Sequence, residues 1–283
     1  VFAEADFDPD AFSGFAFASR KLPEYMHYRM LVCPTCGLLY ANPIPSLDVL
    51  AAAYQVADYD SGAEAKCAAR TYAAILRRIL PQLPDRAGAL DIGAGDGAFL
   101  GELLRLGFSE VVGVEPSEAP IAAAEATVRP LIRRGLFVAK DFANESFRLV
   151  TCFQTIEHLY DPFQMCRDIF PLLKKGGVLL LVCHNRRSLS ARILGTRSPI
   201  FDIEHLQLFS RRSVQFLMNA AGYRDIQIRA VYNRYPLSYW VKLFPLPGAI
   251  KRSAMTVVER TGIGRLPLML PAGNLAVAGF KRQ

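Results

Sequence analysis

Ala89-Leu90-Asp91-Ile92-Gly93-Ala94-Gly95-Asp96-Gly97-Ala98-Phe99 is the stretch whose reading decides the fold. Ala87 to Ile92 is a short apolar run that stops at glycines, as a buried strand does. Ala98 to Leu106 then reads as a helix closed by Gly107. Glycines between the two let the chain turn sharply and let a ligand approach the backbone, and the helix start supplies free amide N–H groups. The spacing is Gly-x-Gly-x-Gly, not the Gly-x-Gly-x-x-Gly of pyrophosphate-binding dinucleotide folds. Asp91, two residues before the first glycine, repels a pyrophosphate and welcomes a ligand ammonium. Glu115 follows the next strand, Glu110 to Val114, and lies twenty residues beyond Gly95. A carboxylate there can accept two hydrogen bonds from a ribose diol.

Outward from this turn, strands alternate with helices. Upstream, Ala63 to Leu80 has a helical pattern that Pro81 and Pro84 end. Downstream, Ser117 reads as the N-cap of a helix, Gly135 to Ala139 as a weak third strand and Arg148 to Phe153 as a fourth. Asp161-Pro162 is a strong helix start, and that helix runs to Lys174 before Gly176-Gly177. Val178 to Cys183 is a fifth strand. Ser210 caps a helix ending at Gly222, and Asp225 to Val231 and Leu275 to Phe280 complete seven strands. The expected fold is α/β: a Rossmann-like, mainly parallel seven-stranded sheet with helices on both faces.

Two stretches, 184–209 and 233–273, are too long for ordinary connections and read as insertions into a main domain of residues 61–283. The second is rich in Tyr, Trp, Phe, Leu and Pro. It is expected to be a helical lid over the acceptor site, a packed subdomain or an oligomer contact. Residues 1–60 form a separate small unit with a hairpin-like turn at 33–37 and a short helix near 46–54.

The composition excludes several classes. Of 283 residues, 52% are hydrophobic and 21% charged, enough for a sizeable core and unlike a disordered or fibrous chain. The net charge is +7, but Lys and Arg are scattered and no basic stripe carries interleaved aromatics, which argues against nucleic acid. No apolar run reaches the roughly 18 residues of a membrane helix, and no signal peptide is evident at the start, so no membrane span and a cytoplasmic location are expected. Of six cysteines only Cys33 and Cys36 have a meaningful spacing, which is not a disulfide framework.

With these residues in view, the glycine loop resembles motif I of the class I S-adenosylmethionine-dependent methyltransferases, and Val112-Gly113-Val114-Glu115 resembles motif II. Lys140-Asp141-Phe142 resembles the family's adenine-holding segment. Phe147 to Leu159 resembles its fourth-strand motif, and Leu173 to Leu179 its lead into strand five. The likeness covers roughly residues 65–232 and does not identify the acceptor. It implies S-adenosyl-L-methionine as cofactor, with Gly93, Gly95 and Gly97 beside its methionine part and Asp91 near its ammonium. It also implies Glu115 on the ribose hydroxyls, Asp141 and the Phe142 amide at adenine, and Gln154 below the methionine portion. The family usually has Phe-Asp before the fourth strand; Phe147-Arg148 departs from that.

Methyl transfer from a sulfonium is an in-line displacement in which the protein aligns the nucleophile and excludes water. An alcohol or phenol acceptor also benefits from a general base. Four histidines are present: His27, His158, His184 and His205. His205 and His158 are the expected bases, with Glu204 and Tyr160 weaker. Cys33-Pro34-Thr35-Cys36-Gly37 is similar to one knuckle of a zinc ribbon, a unit that bacterial relatives often carry twice. One knuckle gives two ligands where a structural zinc wants four. No metal ligands are therefore assigned within this chain, and zinc would need two more from a segment before Val1. The implied function is methyl transfer to a small-molecule or glycan-precursor acceptor. A nicotinamide-dependent oxidoreductase, or a non-catalytic S-adenosylmethionine-binding protein, are the competing readings.

Overall fold

The computed structural model describes residues 1–8, 24–55, 59, 62–244 and 246–282. In chain order, β1 (Met30–Val32) and β2 (Leu39–Ala41) form an antiparallel hairpin around the Cys33–Gly37 turn. Helices α1 (Leu47–Gln55) and α2 (Gly62–Arg77) lead into β3 (Ala89–Ile92), α3 (Ala98–Arg105), β4 (Val111–Glu115), α4 (Glu118–Ala123) and β5 (Ile132–Arg134). Then come β6 (Phe147–Phe153), α5 (Pro162–Leu172), β7 (Leu173–His184), α6 (Leu189–Leu194), β8 (Gln207–Leu208) and α7 (Arg211–Ala220). The chain ends with β9 (Arg224–Pro236), α8 (Leu237–Leu243), α9 (Gly248–Arg260) and β10 (Pro267–Phe280).

The main sheet has the order β5-β4-β3-β6-β7-β10-β9, and only β10 runs against its neighbours. Central β3 and β6 are buried along their whole length. Alternation along them feeds two cores. Leu149 and Phe153 face α2 and α3 with Tyr72, Leu76 and Leu100, while Val150 and Cys152 face α5 and α7 with Ile169 and Val214. Burying each such side chain contributes about 1.5–3 kcal/mol, so helix cover on both faces is what holds a parallel sheet together. This is the seven-stranded Rossmann-like architecture read from the sequence.

Local chemistry sets the helix ends. Asp161 accepts from the Gln164 amide at 2.8 Å with Pro162 in the first turn. Ser210 and Ser213 form a reciprocal capping box. Ser117 sits at the N-cap of α4 as expected, but its hydroxyl donates to the Tyr54 carbonyl at 2.6 Å and makes no cap bond. That bond fastens the end of α1 to the exit of β4.

Three features differ from expectation. Strand β5 spans 132–134, ahead of the expected 135–139. The stretch 184–209 contributes β8, which pairs with β2 and shares a small core with Met30, Leu39 and Phe201. The middle of 233–273 is helical, as expected, but its two ends are strand: β9 and β10 continue as a two-stranded ribbon from Pro267↔Pro236 inward, interrupted by a bulge between Leu270 and Asn274. The outer half of that ribbon lies beyond the sheet, and the apolar run of β10 there, residues 267–271, is exposed. Helices α8 and α9 cap it. Among the described residues, no helix is long and apolar enough to cross a membrane.

Arg148 is explained by what it holds. It is buried at the start of β6; its Nε and Nη2 donate to Asp85 at 3.0 and 2.6 Å, and Nη1 donates to the Lys175 carbonyl. One guanidinium thus ties the segment before β3 to the turn in β7. The hydrogen bond from Arg148, and then the Ala87 N–H, hold the Asp85 carboxyl down to about 2. A depressed carboxylate contributes stability that is present above its unfolded value of about 3.9 and is lost as pH falls through the folded value. Asp85 is half exposed, so screening keeps the effect modest. Asp85→Asn should therefore melt below the parent at pH 7, and the difference should shrink from about pH 4 downward. Equal melting temperatures at pH 7 would show that the pair contributes nothing.

Candidate active site at the carboxyl edge of the sheet

The parallel strands end on one edge, and the residues just past those ends line two adjoining cavities. One, of about 420 Å³, is walled by Glu115, Pro116, Leu136 and Phe137, and covered by Leu50 and Tyr54 of α1. The other, of about 360 Å³, is walled by Asp91, Gly95, Tyr72 and Phe153, and extends to a polar cluster and an aromatic wall. Gly93, Gln154, Thr155, His158 and Glu204 border both, so the two are halves of one elongated site.

The turn after β3 shapes the middle. Gly93 has φ +76°, and a Cβ there would stand 2.3 Å from Thr155 Oγ1, so only glycine fits. Gly95 has φ +56°, and a Cβ built on it meets nothing within 4 Å. That missing side chain leaves space against bare backbone. The Glu115 carboxylate crosses from β4 to close the turn: Oε2 accepts from the Gly95 N–H at 2.8 Å and Oε1 from the Ser117 N–H at 2.9 Å. Burial pushes the Glu115 carboxyl up, and these two N–H donors pull it back. Asp91 is buried at the end of β3, where the Thr151 hydroxyl donates to it at 2.6 Å. Gln154, at φ +50°, leaves β6 with its side-chain oxygen accepting from the Tyr72 hydroxyl at 3.1 Å.

Three histidines gather at the far end. The His205 ring lies 4.9 Å from that of His158 and 4.7 Å from that of His184, centroid to centroid. Nδ1 of His205 lies 2.9 Å from the Ile200 carbonyl, which can only accept; the proton therefore sits on Nδ1, and Nε2 turns toward Glu204 Oε1 at 3.7 Å. His158 has its two ring nitrogens 3.1 Å from the carbonyls of Glu204 and Gln154. Burial pushes the imidazolium of His158 down, and that of His184 to about 4. His184 Nδ1 lies 2.9 Å from Asn274 Oδ1. Tyr235, Tyr239 and Trp240, from β9 and α8, make the aromatic wall opposite.

Of the expected site residues, Asp91, Gly93, Gly95, Gln154, His158 and His205 meet in the second cavity, and Glu115 lies in the first. Three do not reach either. Gly97 lines neither half; a Cβ on it would press Ile132 and Val128 at 3.0 and 3.1 Å, so its smallness serves the packing of α3. Asp141 is exposed, and the Phe142 ring packs among Phe137, Phe147 and the Arg133 guanidinium. The cavity wall falls at Gly135–Phe137 because β5 ends at Arg134, ahead of where the expected strand would have begun. Tyr72, Thr155 and the aromatic wall escaped notice. Only the aromatic richness of 233–273 signalled any of them.

Cys33 and Cys36 line neither cavity. Their turn is clasped by Arg186, whose Nε donates to the Gly37 carbonyl at 2.9 Å, and by Arg212, which donates to the Thr35 carbonyl at 2.7 Å. Among the described residues no third ligand joins Cys33 and Cys36.

Sheet order, glycine turn and strand-end carboxylate together define a class I S-adenosylmethionine-dependent methyltransferase architecture. Residues 64–228, more than half of the chain, match the methyltransferase domain family, and the chain belongs to it. It is similar to the ubiquinone biosynthesis O-methyltransferases of Pseudomonas savastanoi pv. phaseolicola, 33% identical over 105 residues (34% of this chain and 44% of that protein), and of Pseudomonas aeruginosa, 34% identical over 117 residues (37% and 49%). The chain thus spans under half the length of the curated relatives it matches. In fold it resembles a SAM-dependent methyltransferase from Archaeoglobus fulgidus, with a TM-score of 0.51 at 23% identity, covering 75% of this chain and 94% of that one. The YcgJ protein from Bacillus subtilis gives 0.52 at 19%, covering 74% and 98%.

Gly95→Ala should fold, because the added methyl meets open space and the left-handed backbone costs roughly 1–2 kcal/mol. It should weaken S-adenosylhomocysteine binding by about tenfold or more, equivalent to roughly 1.4 kcal/mol, in calorimetric titration. Undiminished affinity would remove this turn from the ligand site.

Proposed function

We propose that the chain transfers a methyl group from S-adenosylmethionine to a hydroxyl of an apolar, ring-bearing small molecule. The carrying observation is the elongated site, in which two halves of different chemistry meet at Gly93, Gln154 and Thr155.

The residues present fit the donor. Leu136, Phe137 and Pro116 offer apolar faces to an adenine, and each Glu115 oxygen retains a lone pair beyond its N–H bond for ribose hydroxyls. The space beside Gly95 admits an amino-acid tail, with Asp91 behind it for the ammonium. When bound, the donor supplies an electrophilic methyl on a sulfonium. Everything else falls to this chain. Tyr72 holds Gln154, α1 covers the adenosine half, and α2 borders the space beside Gly95. Tyr235, Tyr239 and Trp240 seat the acceptor ring. Nε2 of His205, backed by Glu204, receives the hydroxyl proton, and His158 lies between the Glu204 and Gln154 carbonyls. The acceptor oxygen would then be held in line with the donor's carbon–sulfur bond by the aromatic wall and His205.

Curated relatives are named for O-methyl transfer in ubiquinone biosynthesis, which accords with a hydroxyl acceptor. The apolar aromatic wall favours such an acceptor over a polyhydroxylated glycan precursor. Incubation with methyl-labelled donor and a panel of phenols, catechols and sugar nucleotides tests this. Label should pass to phenolic oxygens. In Trp240→Ala, KM for those acceptors should rise several-fold while S-adenosylhomocysteine affinity holds. Donor binding with no label transferred to any acceptor would instead establish a non-catalytic binder.

A further inference from the structure

We propose that Nδ1 of His158, the carboxylate of Glu204 and Nε2 of His205 form a binding site for a divalent transition-metal cation such as Zn2+, at the polar end of the acceptor cavity. One ligand atom from each of these residues lies within 4.8 Å of the others. The separations are 4.0 Å from His158 Nδ1 to Glu204 Oε2 and 3.7 Å from His205 Nε2 to Glu204 Oε1. Zinc bonds of about 2.0–2.2 Å place tetrahedral ligands roughly 3.4 Å apart, so small side-chain shifts close the site.

Ring orientation supports this beyond proximity. Ligating histidines usually donate their outer N–H to a carbonyl or carboxylate, which aims the other nitrogen at the metal. His205 does so through Nδ1 to the Ile200 carbonyl; His158, with a carbonyl 3.1 Å from each ring nitrogen, does so in the tautomer that donates from Nε2 to Gln154. That choice leaves the His158 Nδ1 lone pair 3.1 Å from the Glu204 backbone oxygen, electron pair against electron pair. A cation bound at Nδ1 relieves that contact.

Local charge points the same way. Glu157, the neighbour of His158, is wholly buried; Oε1 accepts from the His184 N–H at 2.6 Å, while Oε2 has no hydrogen-bond partner. Asp202 is also buried beside the cluster. Three carboxylates therefore surround three histidines. Two imidazoles and one carboxylate suit zinc, iron, cobalt or nickel, whereas magnesium and calcium prefer oxygen donors. All three ligands border the cavity, so a cation would keep an open face toward the acceptor.

The site itself stands on geometry. Its use rests on the methyltransferase reading: the cation would stabilise negative charge on the acceptor oxygen as its proton passes to solvent water, replacing His205 as the activating group.

The test uses the full chain carrying Cys33→Ser and Cys36→Ser, stripped with a chelator, so that thiolates cannot bind. Co2+ titration should give saturable visible d–d absorption from a single equivalent, displaced by Zn2+. Three variants on that background should weaken binding at least tenfold: Glu204→Gln, His205→Asn and His158→Gln. The His205→Asn change keeps an amide donor for the Ile200 carbonyl, and His158→Gln keeps one for the Gln154 carbonyl. Folding should therefore persist in both, checked by melting temperature. Absence of saturable binding, or binding indifferent to all three substitutions, overturns the site. Calorimetry with S-adenosylhomocysteine on the same metal-free samples keeps the two readings apart. Donor binding without metal binding sinks the cation site alone, and loss of both in the unsubstituted chain sinks the methyltransferase reading as well.

Discussion

The structure depends on how the backbone leaves β3. At Gly93 the turn passes so close to Thr155 that no Cβ fits, and at Gly95 the N–H must find the Glu115 carboxylate on the neighbouring strand. These constraints join the exits of three adjacent parallel strands, β4, β3 and β6. Because those strands are buried on both faces, their register is fixed by packing, and their ends are rigid points from which side chains can be aimed. The pocket is formed where the chain must avoid itself.

Much of this was legible because the signals are local. Gly93 to Gly97 marks a strand-to-helix turn by residue type, Asp161-Pro162 and Ser210 mark helix starts through hydrogen bonds only a few residues long, and β6 and β7 announce themselves as apolar runs. Glu115 could be placed because a strand end is nearly a one-dimensional fact. The same locality explains Arg148. Its departure from the family pattern was visible, but its partner Asp85 is 63 residues away, and sequence alone does not reveal such a pairing.

What was not legible is tertiary. Edge strand β5 is only three residues long and mostly exposed, so its apolar signal is weak, and the strand was expected at 135–139, where Gly135, Leu136 and Phe137 instead line the cavity. The aromatic wall is assembled from Tyr235 near the end of β9 and Tyr239 and Trp240 on α8, beyond where β9 leaves the sheet. β8, two residues long, is a strand only because β2 lies beside it. Each case is a segment whose structure is imposed by a partner distant in sequence.

Electrostatics at the carboxyl edge show a second logic. Asp91, Glu115, Glu157, Asp202 and Glu204 are all buried there, and removing a carboxylate from water is costly unless hydrogen bonds answer it. Backbone or hydroxyl donors answer four of them. Glu115 has two N–H groups, Asp202 has the Ile203 and Glu24 amides at 2.9 and 3.0 Å, Asp91 has Thr151, and Glu157 has His184 N on one oxygen only. Glu204 is set against His158, whose imidazole burial keeps from charging. A chain whose formal charge is +7 nevertheless collects five of the six buried acids among its described residues on one rim. That arrangement lowers the stability of the empty fold and makes sense when positive charge is brought to the rim from outside. A sulfonium donor supplies one such charge, and a cation among His158, Glu204 and His205 would supply the other.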